Sequence, residues 1–182
     1  MAKLVAMNNP YNTNLDRNPA NFQPLTPLTF LERAASVYPN HTAIVHGKLR
    51  RNYSDFYSRS RQLASALSAQ GIARGDTVSV ILSNTPAMLE AHYGVPMCGA
   101  VLHSINTRLD PDTIAYQLDH ANSRALIVDR EFLKTAKTSL ELAEVSPILI
   151  EFNDNEYPIK ESLPGALEYE EFLLKGDKNY NW

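Results

Sequence analysis

The chain has 182 residues, 44% hydrophobic and 20% charged, with a formal net charge of −3. That length suits one domain or one large lobe, and the near-average composition excludes collagen, coiled coil and wholesale disorder. A slight acidic surplus without a basic stripe argues against a nucleic-acid partner. The lone Cys98 allows no internal disulfide and points to a reducing compartment, and no apolar run approaches the roughly 20 residues of a membrane span.

Residues 1–27 read as an extended arm. Pro10, Pro19, Pro24 and Pro27 punctuate it without periodicity, and it lacks the apolar stretch of a secretory signal. Phe30, Leu31, Ala34, Ala35 and Tyr38 then fall at helical spacing up to Pro39. Ala43-Ile44-Val45, a Gly47-Lys48 turn and residues 49–53 predict a short hairpin. The clearest helix follows, with Ser54 as its cap. Phe56, Ser60, Leu63 and Leu67 form its inner stripe, and Gly71 lies past its end.

Next the period changes. Residues 78–82 form a nearly continuous apolar run, as a strand buried on both faces requires. Thr85-Pro86 opens another helix, whose inner side is expected to carry Met88, Leu89, His92 and Val95, with Pro96 ending or kinking it. Ala100-Val101-Leu102 reads as a strand. Asp110-Pro111 starts a helix with Ile114, Leu118 and Ala121 inside, and residues 125–129 read as a strand. Residues 132–142 follow as a helix, residues 147–150 as a strand, and residues 167–174 as a short amphipathic helix. The fold class expected is therefore α/β: a mostly parallel sheet with helices on both faces, preceded by a short N-terminal hairpin. Its divisions are residues 1–27 (arm), 28–152 (α/β lobe) and 153–182 (loop and short helix).

Sheets of this kind bind ligands beyond the carboxyl ends of their strands, so the loops after Leu82, Ser104 and Asp129 come first. No G-x-G-x-x-G or G-x-x-x-x-G-K-[ST] cradle occurs, and the scattered glycines suit turns. His41, His46, His92, His103 and His120 form no H-E-x-x-H or Cys/His cluster, so zinc is not expected. His92 is expected to be a hydrogen-bonded structural histidine. His103-Ser104 follows a buried strand, but nucleophilic catalysis there needs a third group. Counted from Asp154, a calcium loop would need Gly at Ile159 and Glu at Gly165, so that pattern fails. Arg108, Arg130, Lys134 and Lys137 form a modest basic group near two strand ends. Lys134 and Lys137, three apart on a helix, point the same way, either as a solvated face or toward a phosphate.

Word-level similarity is more specific. Ser79-Val80-Ile81-Leu82-Ser83-Asn84-Thr85-Pro86, Gly94-Val95-Pro96-Met97-Cys98-Gly99-Ala100-Val101 and Ile105-Asn106-Thr107-Arg108-Leu109-Asp110-Pro111 resemble the N-terminal lobe of AMP-forming acid–CoA ligases. Thr26-Pro27-Leu28-Thr29-Phe30-Leu31-Glu32-Arg33-Ala34 resembles the opening of plant acyl-activating enzymes, which include benzoate– and cinnamate–CoA ligases. The resemblance implies that a small carboxylic acid attacks the α-phosphate of ATP, giving an acyl-adenylate and pyrophosphate, and that the coenzyme A thiol then displaces AMP. Magnesium and basic groups would stabilise the phosphoryl charge.

The same resemblance places residues 28–152 in part of an AMP-binding domain. It also implies that Lys134 and Lys137, with Arg108 beside them, contact the phosphates of coenzyme A. The family's Ser-Gly-Thr-Thr-Gly-type phosphate loop, adenine-binding segment, ribose-binding Asp and catalytic Lys have no counterpart in this sequence. The expectation is thus an N-terminal fragment that holds no catalytic residue and no metal ligand. It would bind neither ATP, Mg nor coenzyme A tightly, be inactive alone, and reside in cytoplasm or peroxisome. Two other readings stand beside it: a non-catalytic truncated paralogue that pairs with a full-length relative, and an independent nucleotide-binding domain.

Overall fold

The computed structural model describes residues 16–182. Of the arm expected over residues 1–27, residues 1–15 lie outside that range, and residues 16–26 hold a turn but no helix or strand. Pro27 belongs to the first helix, α1 (Pro27–Val37). The Thr26 side chain accepts the Leu28 N–H at 3.1 Å, and proline's fixed φ suits the first helical position. The hairpin follows as β1 (Thr42–His46) and β2 (Leu49–Asn52), paired antiparallel in a sheet of their own. Then come α2 (Tyr53–Ala69), β3 (Thr77–Ile81), α3 (Pro86–Met97), β4 (Val101–Ser104), α4 (Pro111–His120) and β5 (Ser123–Asp129). A 3-10 turn (Arg130–Phe132) leads into α5 (Leu133–Leu142), β6 (Ile148–Phe152), β7 (Leu167–Glu168) and α6 (Tyr169–Leu174).

Caps depart from expectation at one end of α2. Asn52, not Ser54, caps it, accepting the Asp55 N–H at 2.8 Å, because the hairpin ends in the extended conformation an N-cap needs. Asp110 caps α4 as expected, accepting the Thr113 N–H at 2.9 Å. Gly71 takes the left-handed φ of +81° that closes α2.

The main sheet is parallel throughout, in the order β4-β3-β5-β6-β7. Strands β3 and β5 are buried on both sides. Val78, Val80, Ala125 and Ile127 pack with α2, α3 and α6, while Ile81, Leu126 and Val128 pack with α4 and α5. Helices therefore cover both faces, which explains the unbroken apolar runs. β7 is an addition to the expected set. Its two residues add a parallel strand beside β6, and the expected helix over residues 167–174 begins only at Tyr169, capped by Glu168. A two-residue strand leaves no period to read in the sequence.

The inner side of α3 differs from the expected one. Leu89 and His92 face solvent, and Glu90, Ala91 and Gly94 point inward with Val95. Glu90 is fully buried and holds four donor contacts. Its Oε1 accepts from Arg51 Nη1 and Arg59 Nε, both at 2.6 Å, and its Oε2 from Arg59 Nη2 at 3.2 Å and Tyr169 OH at 2.9 Å. Arg59 also grips Glu170 through two bonds of 2.9 and 2.7 Å. Two guanidiniums thus meet two carboxylates, which is the condition for burying a charge. Burial opposes the charge on Arg59, but hydrogen bonds and attraction to Glu90, then Glu170, outweigh it and raise its pKa. Burial, and then the Glu90 charge, raise the Tyr169 phenol well above its ordinary value, so it remains a neutral donor.

Residues 176–182 lie back along α2. Ser65 Oγ accepts the Asp177 N–H, Arg61 Nε donates to the Tyr180 carbonyl, and Trp182 Nε1 donates to Tyr57 OH at 3.0 Å. Gly94 marks the closest approach of α2 and α3, since an added Cβ would stand 2.8 Å from both the Leu63 side chain and the Ser60 carbonyl.

Two substitutions test this packing by urea unfolding. Glu90→Ala is expected to cost about 3 kcal/mol or more, because it strips the partner from two largely buried guanidiniums. Gly94→Ala is expected to cost about 1–3 kcal/mol through overpacking. A loss below about 1 kcal/mol for Glu90→Ala would show that the cluster behaves as a surface pair.

Candidate functional site at the carboxyl end of the sheet

The strand order reverses at β3. The chain passes from β3 to β4 on one side, then crosses to β5 on the other, with α3 and α4 on opposite faces. Between the carboxyl ends of β3 and β5 lies the topological switch point, where open α/β sheets bind ligands. Two of the three loops expected to matter meet there: Ser83, after β3, donates to Glu131 Oε2 at 2.8 Å, after β5.

The rim of this end is acidic. Asp129, 2% exposed, accepts the Glu131 N–H on Oδ1 at 3.0 Å. Burial raises its pKa first, with the negative charges of Glu131 and Asp154 adding to it against the Glu131 N–H and the His46 charge. Asp154 receives His46 Nε2 at 2.9 Å on both oxygens. Glu156 accepts the Lys48 N–H at 3.1 Å and lies over Gly47, whose φ of +51° favours glycine. The loop after β6 thereby anchors the hairpin tip. Beside it, between β1 and the start of α3, runs a groove of about 560 Å³. Ile44, Val45, His46, Pro86, Met88 and Leu89 are among its lining residues.

The basic group separates into two kinds. Arg130 is structural, not part of a solvated face. Its Nη2 bonds the buried Glu151, its Nη1 bonds the Ile159 carbonyl at 3.1 Å, and Glu151 Oε2 accepts the Leu163 N–H at 2.8 Å. These bonds hold residues 159–163 against the ends of β5 and β6. Lys134 and Lys137 are exposed near the start of α5, and Arg108 is exposed in the loop after β4. Among the described residues none of the three side chains forms a hydrogen bond or ion pair. Uncompensated cations at a helix start can receive phosphate oxygens. The acidic rim cannot cradle a triphosphate, and among the described residues no group of three His, Cys, Asp or Glu is arranged for a metal ion.

His103 sits with Ser79, not Ser104. Ser79 Oγ lies 2.9 Å from His103 Nδ1 and 2.6 Å from Ser123 Oγ, and Ser79 is fully buried. The trio joins β4, β3 and β5 across the sheet, with Ser79 and Ser123 buried and His103 half-exposed on the edge strand. The parallel register pairs Ser79 with His103, an alignment that chain distance does not reveal. His92, on the exposed side of α3, bonds the Met88 carbonyl one turn back at 2.8 Å. The Glu90 cluster and the His46–Asp154 contact escape sequence reading, because their members lie 31–108 positions apart.

Burial lowers the His103 pKa below 6.5. The folded state therefore takes up this proton less readily than the unfolded chain. Stability linked to His103 is full above pH 6.5 and declines as pH falls from there toward the folded value. Urea midpoints measured between neutral and mildly acidic pH should show that decline, and His103→Gln should flatten it. An unchanged slope in the variant would assign the acid sensitivity to other groups.

Comparisons with known proteins agree with this architecture. The AMP-binding enzyme family matches residues 31–171. An acetate/butyrate–CoA ligase of Arabidopsis thaliana, named as peroxisomal, is 45% identical over 181 residues, covering 93% of this chain and 32% of that protein. A peroxisomal benzoate–CoA ligase of the same plant is 42% identical over 163 residues, covering 87% of this chain and 28% of that one. Among solved structures, a benzoate–CoA ligase from Burkholderia xenovorans superimposes with a TM-score of 0.71 at 25% identity, over 82% of this chain and 28% of that chain. The chain thus spans about a third of the length of the curated relatives it matches. No helix among the described residues is long and apolar enough to cross a membrane. With most of its sequence inside the family match and its sheet shared with a solved ligase, the chain belongs to the AMP-binding enzyme family.

Proposed function

We propose that this chain is the N-terminal portion of a carboxylic acid–CoA ligase, which activates a small acid through an acyl-adenylate using ATP and coenzyme A. The observation that carries this reading is the 45% identity to a plant acetate/butyrate–CoA ligase across 93% of the chain. Here the lobe supplies scaffold and one edge of the coenzyme A entrance. Lys134 and Lys137 would hold its phosphates, with Arg108 approaching from the neighbouring loop. Magnesium and ATP would be held by the phosphate loop and the other elements that the resemblance implies and that have no counterpart in this sequence. A peroxisomal or cytoplasmic setting follows the names of the relatives, two of which are peroxisomal.

Two measurements test this reading. The 182-residue chain should catalyse no acid-dependent ATP–pyrophosphate exchange, and robust exchange would overturn the assignment of adenylation to absent elements. The chain should bind coenzyme A weakly by calorimetry, and Lys134→Ala with Lys137→Ala should weaken that binding about ten-fold or more, through loss of two charge-assisted bonds. Coenzyme A binding unaffected by the double change would remove the lysines from the site. A specific role as a pairing module predicts instead a stable complex with an intact full-length relative, seen on size-exclusion chromatography.

A further inference from the structure

Helices α1 and α2 pack through Leu31, Phe56 and Ala64, and a cleft of about 600 Å³ opens beside that contact. Positions four apart on a helix share a flank. α1 thus presents Glu32 and Ser36 to the cleft, and α2 presents Tyr57 and Arg61. Ala35 adds apolar surface on the α1 side, and Trp182 of the returning tail borders the cleft as well. None of the lining residues comes from the loops after β3, β4 or β5, so this space is separate from the carboxyl end of the sheet.

One acid and one base share the cleft without neutralising each other. Among the described residues, neither Glu32 nor Arg61 belongs to an ion pair. Arg61 is held in place on its own side. Its Nε donates to the Tyr180 carbonyl at 2.8 Å, and its guanidinium lies over the Tyr57 ring, 5.1 Å from the centroid. Its Nη1 and Nη2 make no hydrogen bond among the described residues. The exposed Glu32 carboxylate has the Tyr57 hydroxyl as a donor at a long 3.5 Å, and Trp182 Nε1 fixes that hydroxyl at 3.0 Å. Tyr57 therefore stands beside both charged groups, and one small molecule lying against it reaches both. A ligand with a single charge would leave one wall uncompensated, whereas a zwitterion satisfies the two together.

We propose that this cleft binds a free α-amino acid with an apolar side chain. Its ammonium donates to Glu32, and its carboxylate accepts from the open end of the Arg61 guanidinium, whose planar fork matches a carboxylate. Its side chain covers Ala35 and the half-buried Trp182 ring. The proposal does not rest on the ligase reading, because no residue of the cleft belongs to the phosphate-binding group assigned above.

Trp182 is the one tryptophan of the chain, so its fluorescence reports on this cleft. The probe is L-phenylalanine, compared with 2-phenylethylamine, which lacks the carboxylate, and 3-phenylpropanoate, which lacks the ammonium. L-Phenylalanine should change the Trp182 emission saturably, and each analogue should bind about ten-fold or more weakly, through loss of one charge-assisted bond. Glu32→Gln, at an exposed position, should keep the urea midpoint, weaken L-phenylalanine about ten-fold and leave 3-phenylpropanoate unchanged. Arg61→Lys keeps the charge but loses the fork, and should weaken L-phenylalanine and 3-phenylpropanoate together while sparing 2-phenylethylamine.

No saturable change in Trp182 emission up to about 10 mM L-phenylalanine overturns the proposal. Binding of 3-phenylpropanoate as tight as that of L-phenylalanine also overturns it, in favour of a plain carboxylate site. Calorimetric binding of L-phenylalanine that survives both substitutions places the ligand elsewhere and overturns it too.

Discussion

A carboxylate with no exposure to water organises one face of this molecule. Glu90 lies in α3 and draws Arg51 from β2, Arg59 from α2 and Tyr169 from α6 to its two oxygens. Left alone in the interior, such a charge would be costly, and the arrangement exists because every lone pair direction finds a donor. Arg59 extends the network to Glu170, so the hairpin, three helices and the region after β7 share one electrostatic lock. Buried pairs of this kind add little net stability over apolar packing, but they penalise any arrangement that separates them. The lock therefore fixes how the hairpin and α6 sit on the α2–α3 layer.

That placement decides the character of the sheet's carboxyl end. With the hairpin held down, His46 reaches Asp154, and Glu156 closes over the tip at Gly47. Arg130 and Glu151 then pin residues 159–163 beneath the same rim. The outcome is a rim of negative charge at the switch point, with the uncompensated cations displaced outward to Lys134, Lys137 and Arg108. The curated relatives carry about two thirds of their length outside the matched stretch.

Much of the layer order was legible because burial imposes periodicity. Strands β3 and β5 announce themselves as apolar runs, and proline following Thr85 or Asp110 marks the starts of α3 and α4. The misreadings share one cause. On α3, Leu89 and His92 look inward-facing by spacing, yet Glu90 takes that place because two arginines neutralise it. Arg130 looks like part of a basic surface until Glu151 is seen across the adjoining strand. His103 looks like a partner for Ser104 until the parallel register sets it against Ser79.

By itself, the sequence determined the α/β class, the alternation of elements and, through words such as Ile105-Asn106-Thr107-Arg108, the family. These follow from local rules, in which each residue's neighbours along the chain define its helix face or strand side. Only the tertiary structure decided which charges are buried and paired, and how the carboxyl-end rim is charged. Those properties depend on contacts between residues far apart in the chain, where the balance of desolvation against pairing is settled by distance in space.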